Sequence, residues 1–223
     1  MHPFSTRASV LAIGTELTTG QITNRNAAWL SEQLEALGAE VVLHETVADD
    51  RVMILEALER CSKAGAIVFV TGGLGPTSDD FTREVIAQWM GRELKYDEAS
   101  WRRIEERLTA FGIVVSESNR QQCYFPEGSR ILVNEQGTAN AFAFARGDNH
   151  CWVLPGPPNE IKAVWERDVA AELSRVLPAR PARTLLTWQC IGKSEASLGE
   201  IVEAALSGSG LSIGYRAHRP FVE

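Results

Sequence analysis

The stretch AIVFVTGGLGPTSDDFTRE, Ala66–Glu84, decides how the chain is read. Its first five residues are apolar and, with Thr71, β-prone, and they end at a glycine loop. Behind the loop, REVIAQWMG (Arg83–Gly91) has the apolar spacing of a helix and stops on glycine. Strand, glycine loop and helix in this order make one βα unit. Gly72, Gly73 and Gly75 let backbone N–H groups approach an anion, and a helix start adds about half a positive charge. Asp79 and Asp80 repel anions. A phosphorylated ligand that carries a divalent cation reconciles the two. Aspartate also caps helices, so either residue could serve the helix start instead.

The same rhythm extends in both directions. SVLAIG (Ser9–Gly14) reads as a buried strand and AEVVLHETV (Ala39–Val47) as a second strand. NRNAAWLSEQLEALG (Asn24–Gly38) places Ala27, Leu30, Leu34 and Leu37 on one helical stripe. A second helix carries Ile54, Leu55, Leu58 and Cys61, with Asp49 or Asp50 as its cap. Uniformly apolar strands alternating with helices predict a mostly parallel sheet covered on both faces. Ligands of such sheets bind at the carboxyl ends of the strands. Three loops fall there: GTELTTGQ after the first strand, TGGLGPTSDD after the third, and LPGPPNE (Leu154–Glu160) after CWVLP. The first offers Thr15, Glu16, Thr18, Thr19 and Asn24. The second offers the glycines, Thr77 and the aspartates, and the third Gly156, Asn159 and Glu160.

Between them, Asp97–Gly112 reads as a charged helix with Trp101, Ile104, Leu108 and Phe111 on one stripe. A short helix and short strands follow, turning at Gly128, Gly137 and Gly147. A helix runs from Pro157 to about Leu177. LPARPAR (Leu177–Arg183) reads as a linker, which divides the chain into residues 1–177 and a small α/β unit, 183–223. That unit is expected to be strand, helix and strand (LSIGYRAH), too small for a large core of its own.

The chain has 223 residues, 44% apolar and 23% charged, an ordinary globular composition. A net charge of −7 with no basic stripe argues against nucleic acid or an anionic membrane as partner. The start MHPFSTRASV lacks the features of a signal peptide, and no apolar run approaches a membrane span. Four dispersed cysteines and four dispersed histidines offer no soft-metal cluster, so reduced thiols in a cytoplasm and a hard, oxygen-bound cation such as Mg²⁺ are expected. Arg83 and Lys162 are candidate phosphate contacts or ordinary solvated side chains. Trp29 and Trp89 read as packing residues.

The segments IGTELTTGQITNRNAAWLSEQL, VTGGLGPTSDDFTRE and LPGPPNEIKAVWE, supported by ESNRQQCYFPEG and IGKSEASLGEIV, resemble the N-terminal portion of the competence/damage-inducible CinA family, within the molybdopterin-binding domain superfamily. The resemblance implies a three-layer α/β/α domain followed by a small α/β subdomain, and a homodimer. It implies hydrolysis of ADP-ribose to AMP and ribose 5-phosphate with a divalent metal, or binding of molybdopterin or a nucleotide without turnover. Asp80 falls at the family's site aspartate and Glu16 at its second acidic position; carboxylate chemistry makes these two the expected metal ligands and, with Asp79, the expected catalytic carboxylates. Loop position makes Gly72, Gly73, Gly75, Thr77, Asn24, Gly156 and Glu160 the expected substrate contacts, with Lys162 on the helix that follows; Asn119 and Gln122 fall at matching family positions, either as ligand contacts or as bonds to the loop backbone. One departure stands out. Family members usually read G-T-A-P-G-F in the middle loop, whereas this chain reads GTANAF with Asn140 and Ala141, which predicts an altered loop path. The deamidase domain of longer members is not expected in this chain.

Overall fold

A computed structural model describes residues 5–177 and 186–223. The chain divides into two compact units, Met1–Ala182 and Arg183–Glu223. The linker reading of Leu177–Arg183 falls, beyond Leu177, outside the described residues.

In the first unit, β1 (Arg7–Ile13) leads through a single turn, α1 (Thr15–Thr18), to α2 (Arg25–Ala36) and β2 (Glu40–Val47). Then come α3 (Arg51–Ala64), β3 (Ile67–Thr71) and α4 (Thr82–Met90). Asp50 caps α3, accepting from the amides of Val52 and Met53. After β4 (Leu94–Tyr96) and α5 (Glu98–Ala110), a 3₁₀ segment (Glu117–Cys123) and β5 (Tyr124–Pro126) precede β6 (Arg130–Leu132), β7 (Ala141–Arg146) and β8 (Asn149–Leu154). A closing helix runs from α6 (Pro158–Val164) through a π turn (Trp165–Val169) into α7 (Ala170–Val176).

The main sheet has the order β2-β1-β3-β8-β7-β6. The β1/β2, β1/β3 and β3/β8 pairs are parallel, and β7 alone runs against its neighbours. β4 and β5 form a separate antiparallel pair. Both faces are buried along the inner strands, as their apolar residues require, whereas the edge strand β2 buries only Val47. On one face Val10, Phe69 and Trp152 meet Leu30 and Leu34 of α2 and Ile161, Trp165 and Leu173 of the closing helix. On the other, Leu11, Val68 and Val70 meet Ile54, Leu58 and Cys61 of α3 and Val85, Ile86 and Trp89 of α4. This is a three-layer fold with a mostly parallel sheet.

The two layers fix where a ligand can enter. The helix after β1 covers one face and the helix after β3 covers the other, although the strands are neighbours. Their connecting loops leave in opposite directions and open a crevice at the carboxyl ends, as at any topological switch point.

Two local expectations are corrected. Phe111 is the cap residue just past α5 and is 69% exposed, so it leaves the stripe that buries Trp101 and Ile104. LSIGYRAH forms no strand. In the second unit β9 (Cys190–Ile191) pairs antiparallel with β10 (Phe221–Val222), flanking α8 (Glu195–Leu206), and Ala217 makes only an isolated bridge to Val222. Leu186, Trp188 and Ile191 of this unit stay largely exposed, so it closes no large core of its own. Cys61, Cys123 and Cys151 are buried free thiols, and Cys190 is half-buried. No described helix is long and apolar enough to cross a membrane.

Candidate functional site

At the carboxyl ends of β1, β3 and β8 lies a cleft of about 560 Å³, a volume typical of small-molecule sites. The first loop lines it with Gly14, Glu16 and Leu17, the second with Gly72, Gly73, Gly75, Asp79 and Asp80, and the third with Gly156 and Glu160. The three loops that sequence reasoning singled out therefore converge.

Glycines shape this wall by leaving space. A Cβ on Gly14 would stand 2.6 Å from the Glu16 carboxylate, and one on Gly75 would stand 2.4 Å from that of Asp80. A Cβ on Gly137 would stand 2.4 Å from that of Glu160. Three cleft carboxylates thus lie each against a missing side chain. Gly72 and Gly73 have φ of +99° and +66°, so here the backbone itself requires glycine.

Hydrogen bonds hold the loops. Asp49 accepts from the Thr15 amide at 2.8 Å and its hydroxyl at 2.9 Å, which pins the first loop. Asn26 donates to the Gly156 carbonyl at 2.7 Å and ties the first loop's helix to the third loop. Asp80 closes its own turn, accepting from the amide and hydroxyl of Thr77. Gln121 donates to the carbonyls of Gly75 and Thr77 at 3.1 and 2.7 Å. Gln122 lines the cleft and donates to Thr138 Oγ1 at 3.1 Å. Asn134 donates to Glu160 at 2.6 Å; burial raises the Glu160 carboxyl above its ordinary value, against the opposing pull of Asn134 and Arg107.

Several expected contacts are spent elsewhere. The Gly72 amide continues the sheet, donating to Leu154 O at 3.2 Å, so it is not a free anion donor. Asn24 caps α2 through the Ala27 amide and lies outside the cleft lining. Asn119 is buried, closing a capping box with Ser116 and donating to Gln122 at 3.4 Å. Thr77 does not line the cleft and orients Asp80 instead. The hydroxyls of Thr18 and Thr19 bond the Thr15 carbonyl. Lys162 sits with its ammonium 5.8 Å from the Trp29 ring centroid and does not line the cleft. Arg83 is only 2% exposed, so it is neither a solvated side chain nor part of the cleft wall. Asp79 and Asp80 leave the cap of α4 to Phe81, which makes no side-chain cap bond. The middle loop is anchored on both sides of its departure from the family pattern. Ala141 is buried in β7, no described non-glycine residue has positive φ, and Asn140 bonds Ser100 Oγ and the Asn134 amide, each at 2.9 Å. Sequence reasoning missed Asn26 and Asp49 as cleft residues. The only signal was the second asparagine of NRN, and the spare aspartate once Asp50 becomes the cap.

The cleft is lined by Glu16, Asp49, Asp79, Asp80 and Glu160, and by no lysine or arginine. Such a wall repels an anion unless a cation enters with it. Among the described residues no three His, Cys, Asp or Glu side chains are grouped as a ready metal cage. The donor set instead suits Mg²⁺ in its usual mode, one or two carboxylates completed by water and substrate phosphate.

Residues 9–175 match the family described as "Probable molybdopterin binding domain". A competence-damage inducible protein of Clostridium botulinum (strain 657 / Type Ba4) is 36% identical over 200 residues, 89% of this chain and 49% of that protein. One from Clostridium novyi is 38% identical over 91% of this chain and 49% of its own length. The chain thus spans about half the length of the curated relatives it matches. Among solved structures, CinA of Thermoplasma acidophilum, described as of unknown function, superposes with a TM-score of 0.70 at 29% identity, covering 76% of this chain and 98% of that one. A tungsten cofactor synthesizing protein from Pyrococcus furiosus shares the fold alone, at TM-score 0.50 and 21% identity over 79% of this chain and 98% of its own. The chain belongs to the molybdopterin-binding domain family and is similar, over most of its length, to the competence-damage inducible CinA proteins.

Proposed function

We propose that the cleft is a metal-dependent nucleotide pyrophosphatase site that hydrolyses ADP-ribose to AMP and ribose 5-phosphate. The observation that carries this reading is the meeting of five carboxylates with glycine loops at the switch point of the sheet. Carboxylates alone repel a diphosphate, and glycine loops alone would suit a bare anion. Together they suit a diphosphate with its cation.

Asp80 and Glu16 would hold Mg²⁺ or another divalent cation, which when bound neutralises phosphate charge and acidifies a water. Thr77 keeps Asp80 oriented, and the space over Gly75 and Gly14 lets both carboxylates reach the cleft. The amides of Gly73 and Gly75 and the start of α4 hold one phosphate. Gly156, steadied by Asn26, and Glu160 hold the other phosphate or its ribose. Water attacks one phosphorus and the P–O bond to the bridging oxygen breaks. The water's proton passes to the exposed carboxylate of Asp79 or Glu16, and the bridging oxygen leaves on the other phosphate. We expect the protein to act as a homodimer in the cytoplasm.

The second reading, a molybdopterin or nucleotide carrier without turnover, is favoured by the family match itself. One experiment separates them. Incubation with ADP-ribose and Mg²⁺, followed by chromatography, should yield AMP, and Asp80→Asn should abolish it. Absence of AMP together with saturable molybdopterin binding would support the carrier.

A further inference from the structure

Arg83 is the cation that stands out. It follows the glycine loop on the first turn of α4 and is 2% exposed. Its guanidinium donates to the Leu74 carbonyl at 3.0 Å and reaches the Asn140 carbonyl at 3.5 Å. Leu74 lies between two cleft glycines, and Asn140 ends the loop that brings Thr138 and Ala139 to the cleft. The side chain packs with Cζ 5.5 Å from the Phe125 ring centroid. Among the described residues its Nε has no hydrogen-bond partner, and no carboxylate forms an ion pair with it.

A buried cation hydrogen-bonded only to carbonyls is costly, and a fold gains little stability by keeping one. Methionine or leucine would fill the volume. What a guanidinium adds is a fixed positive charge in a medium where charge is poorly screened. Through Leu74 and Asn140 it is tied to a wall that, among the described residues, carries five carboxylates and no lysine or arginine.

We propose that Arg83 is a positioning residue that joins the glycine loop to the 138–140 loop and supplies the buried charge by which the cleft prefers diphosphate-bearing ligands to neutral nucleosides. This deepens the pyrophosphatase reading by naming the ligand feature the site selects, and it rests on that reading for the location of the diphosphate. The charges that face Arg83 are Glu84 on its own helix and Asp80 in the loop, with the Cys123 thiol from the 3₁₀ segment. Burial pushes the guanidinium down to about 10 and the Cys123 thiol up to about 11, so at neutral pH the arginine is charged and the thiol is not.

Calorimetry with ADP and with adenosine, in Mg²⁺, tests the proposal without requiring turnover. Wild type should bind ADP in preference to adenosine. Arg83→Met should lower that preference by about tenfold or more, the equivalent of 1.4 kcal/mol. Arg83→Lys should keep it at pH 6 and lose it towards pH 9, because a buried lysine gives up its proton readily whereas arginine does not. A folded Arg83→Met with unchanged preference would overturn the proposal. So would an Arg83→Lys preference that stays level with pH, which decides the matter if the methionine variant does not fold. Failure of ADP-ribose hydrolysis in wild type would sink the pyrophosphatase reading alone and leave this comparison intact.

Discussion

Gly73→Ala tests whether the glycine loop is held by the geometry described. Gly73 has φ +66°, a left-handed conformation that costs an alanine about 1–2 kcal/mol. The loss of unfolded-chain freedom returns roughly 0.4–1 kcal/mol of that. The larger effect is steric. The new Cβ would stand 2.1 Å from Thr82 Oγ1, which is fully buried and donates to the Gly72 carbonyl at 3.0 Å. The hydroxyl must rotate away, and a buried hydroxyl stripped of its partner costs about 1–3 kcal/mol. Gly73→Ala should therefore destabilise by about 3 kcal/mol. Thr82→Ala removes the obstructing oxygen at the cost of its hydrogen bond, roughly 1–2 kcal/mol. In the double variant the oxygen clash is gone, and backbone strain, the lost bond and a tight 3.2 Å contact between the two Cβ atoms remain. The double variant should thus be more stable than the sum of the single effects implies, by about 1–2 kcal/mol. Urea unfolding followed by far-ultraviolet circular dichroism supplies the cycle. Additivity of the two changes, or a Gly73→Ala protein as stable as wild type, would refute the reasoning.

Other outcomes follow from the same geometry. Burial raises the Glu160 carboxyl, so the folded state binds its proton more tightly than the unfolded chain does. Relative to Glu160→Gln, wild-type stability should be greatest below the ordinary carboxyl value of about 4.3 and be lost as pH rises through the raised value. Urea midpoints of both proteins at pH 4 and 7 check the sign, and equal differences would remove it. Asn140→Ala leaves the Ser100 hydroxyl and the Asn134 amide without their buried partner and should cost about 3 kcal/mol; an unchanged urea midpoint would show that the loop is held otherwise. Lys162→Ala should leave ADP affinity unchanged, because the ammonium rests over Trp29 and not in the cleft; calorimetry showing weaker binding would restore it as a contact.

The layers were legible because the burial that shapes them is periodic. Phe69 and Val68 point to opposite faces of one strand, and both faces demand apolar residues. The crevice was legible for the same reason, since loop position follows from strand direction. Allocation of hydrogen bonds was not. A glycine reads alike whether its amide is free or, like that of Gly72, continues a sheet. Asn24 reads alike as ligand contact or as cap, and only the Ala27 amide decides. Arg83 was read as a surface or phosphate side chain because arginine is seldom buried. α4 buries six of its nine residues, and its inward register takes Arg83 with it. That Asn140 anchors the middle loop through Ser100 and Asn134 could not be read from its departure from the family pattern.

The central claim is that Glu16 and Asp80 share a divalent cation with a diphosphate in the crevice. Crystals grown with Mn²⁺ and a non-hydrolysable ADP-ribose analogue test it directly through anomalous scattering. The account predicts one manganese peak bound by oxygens of Glu16, Asp80 and the analogue's diphosphate. A diphosphate seated elsewhere, or a manganese that touches neither carboxylate, would contradict it.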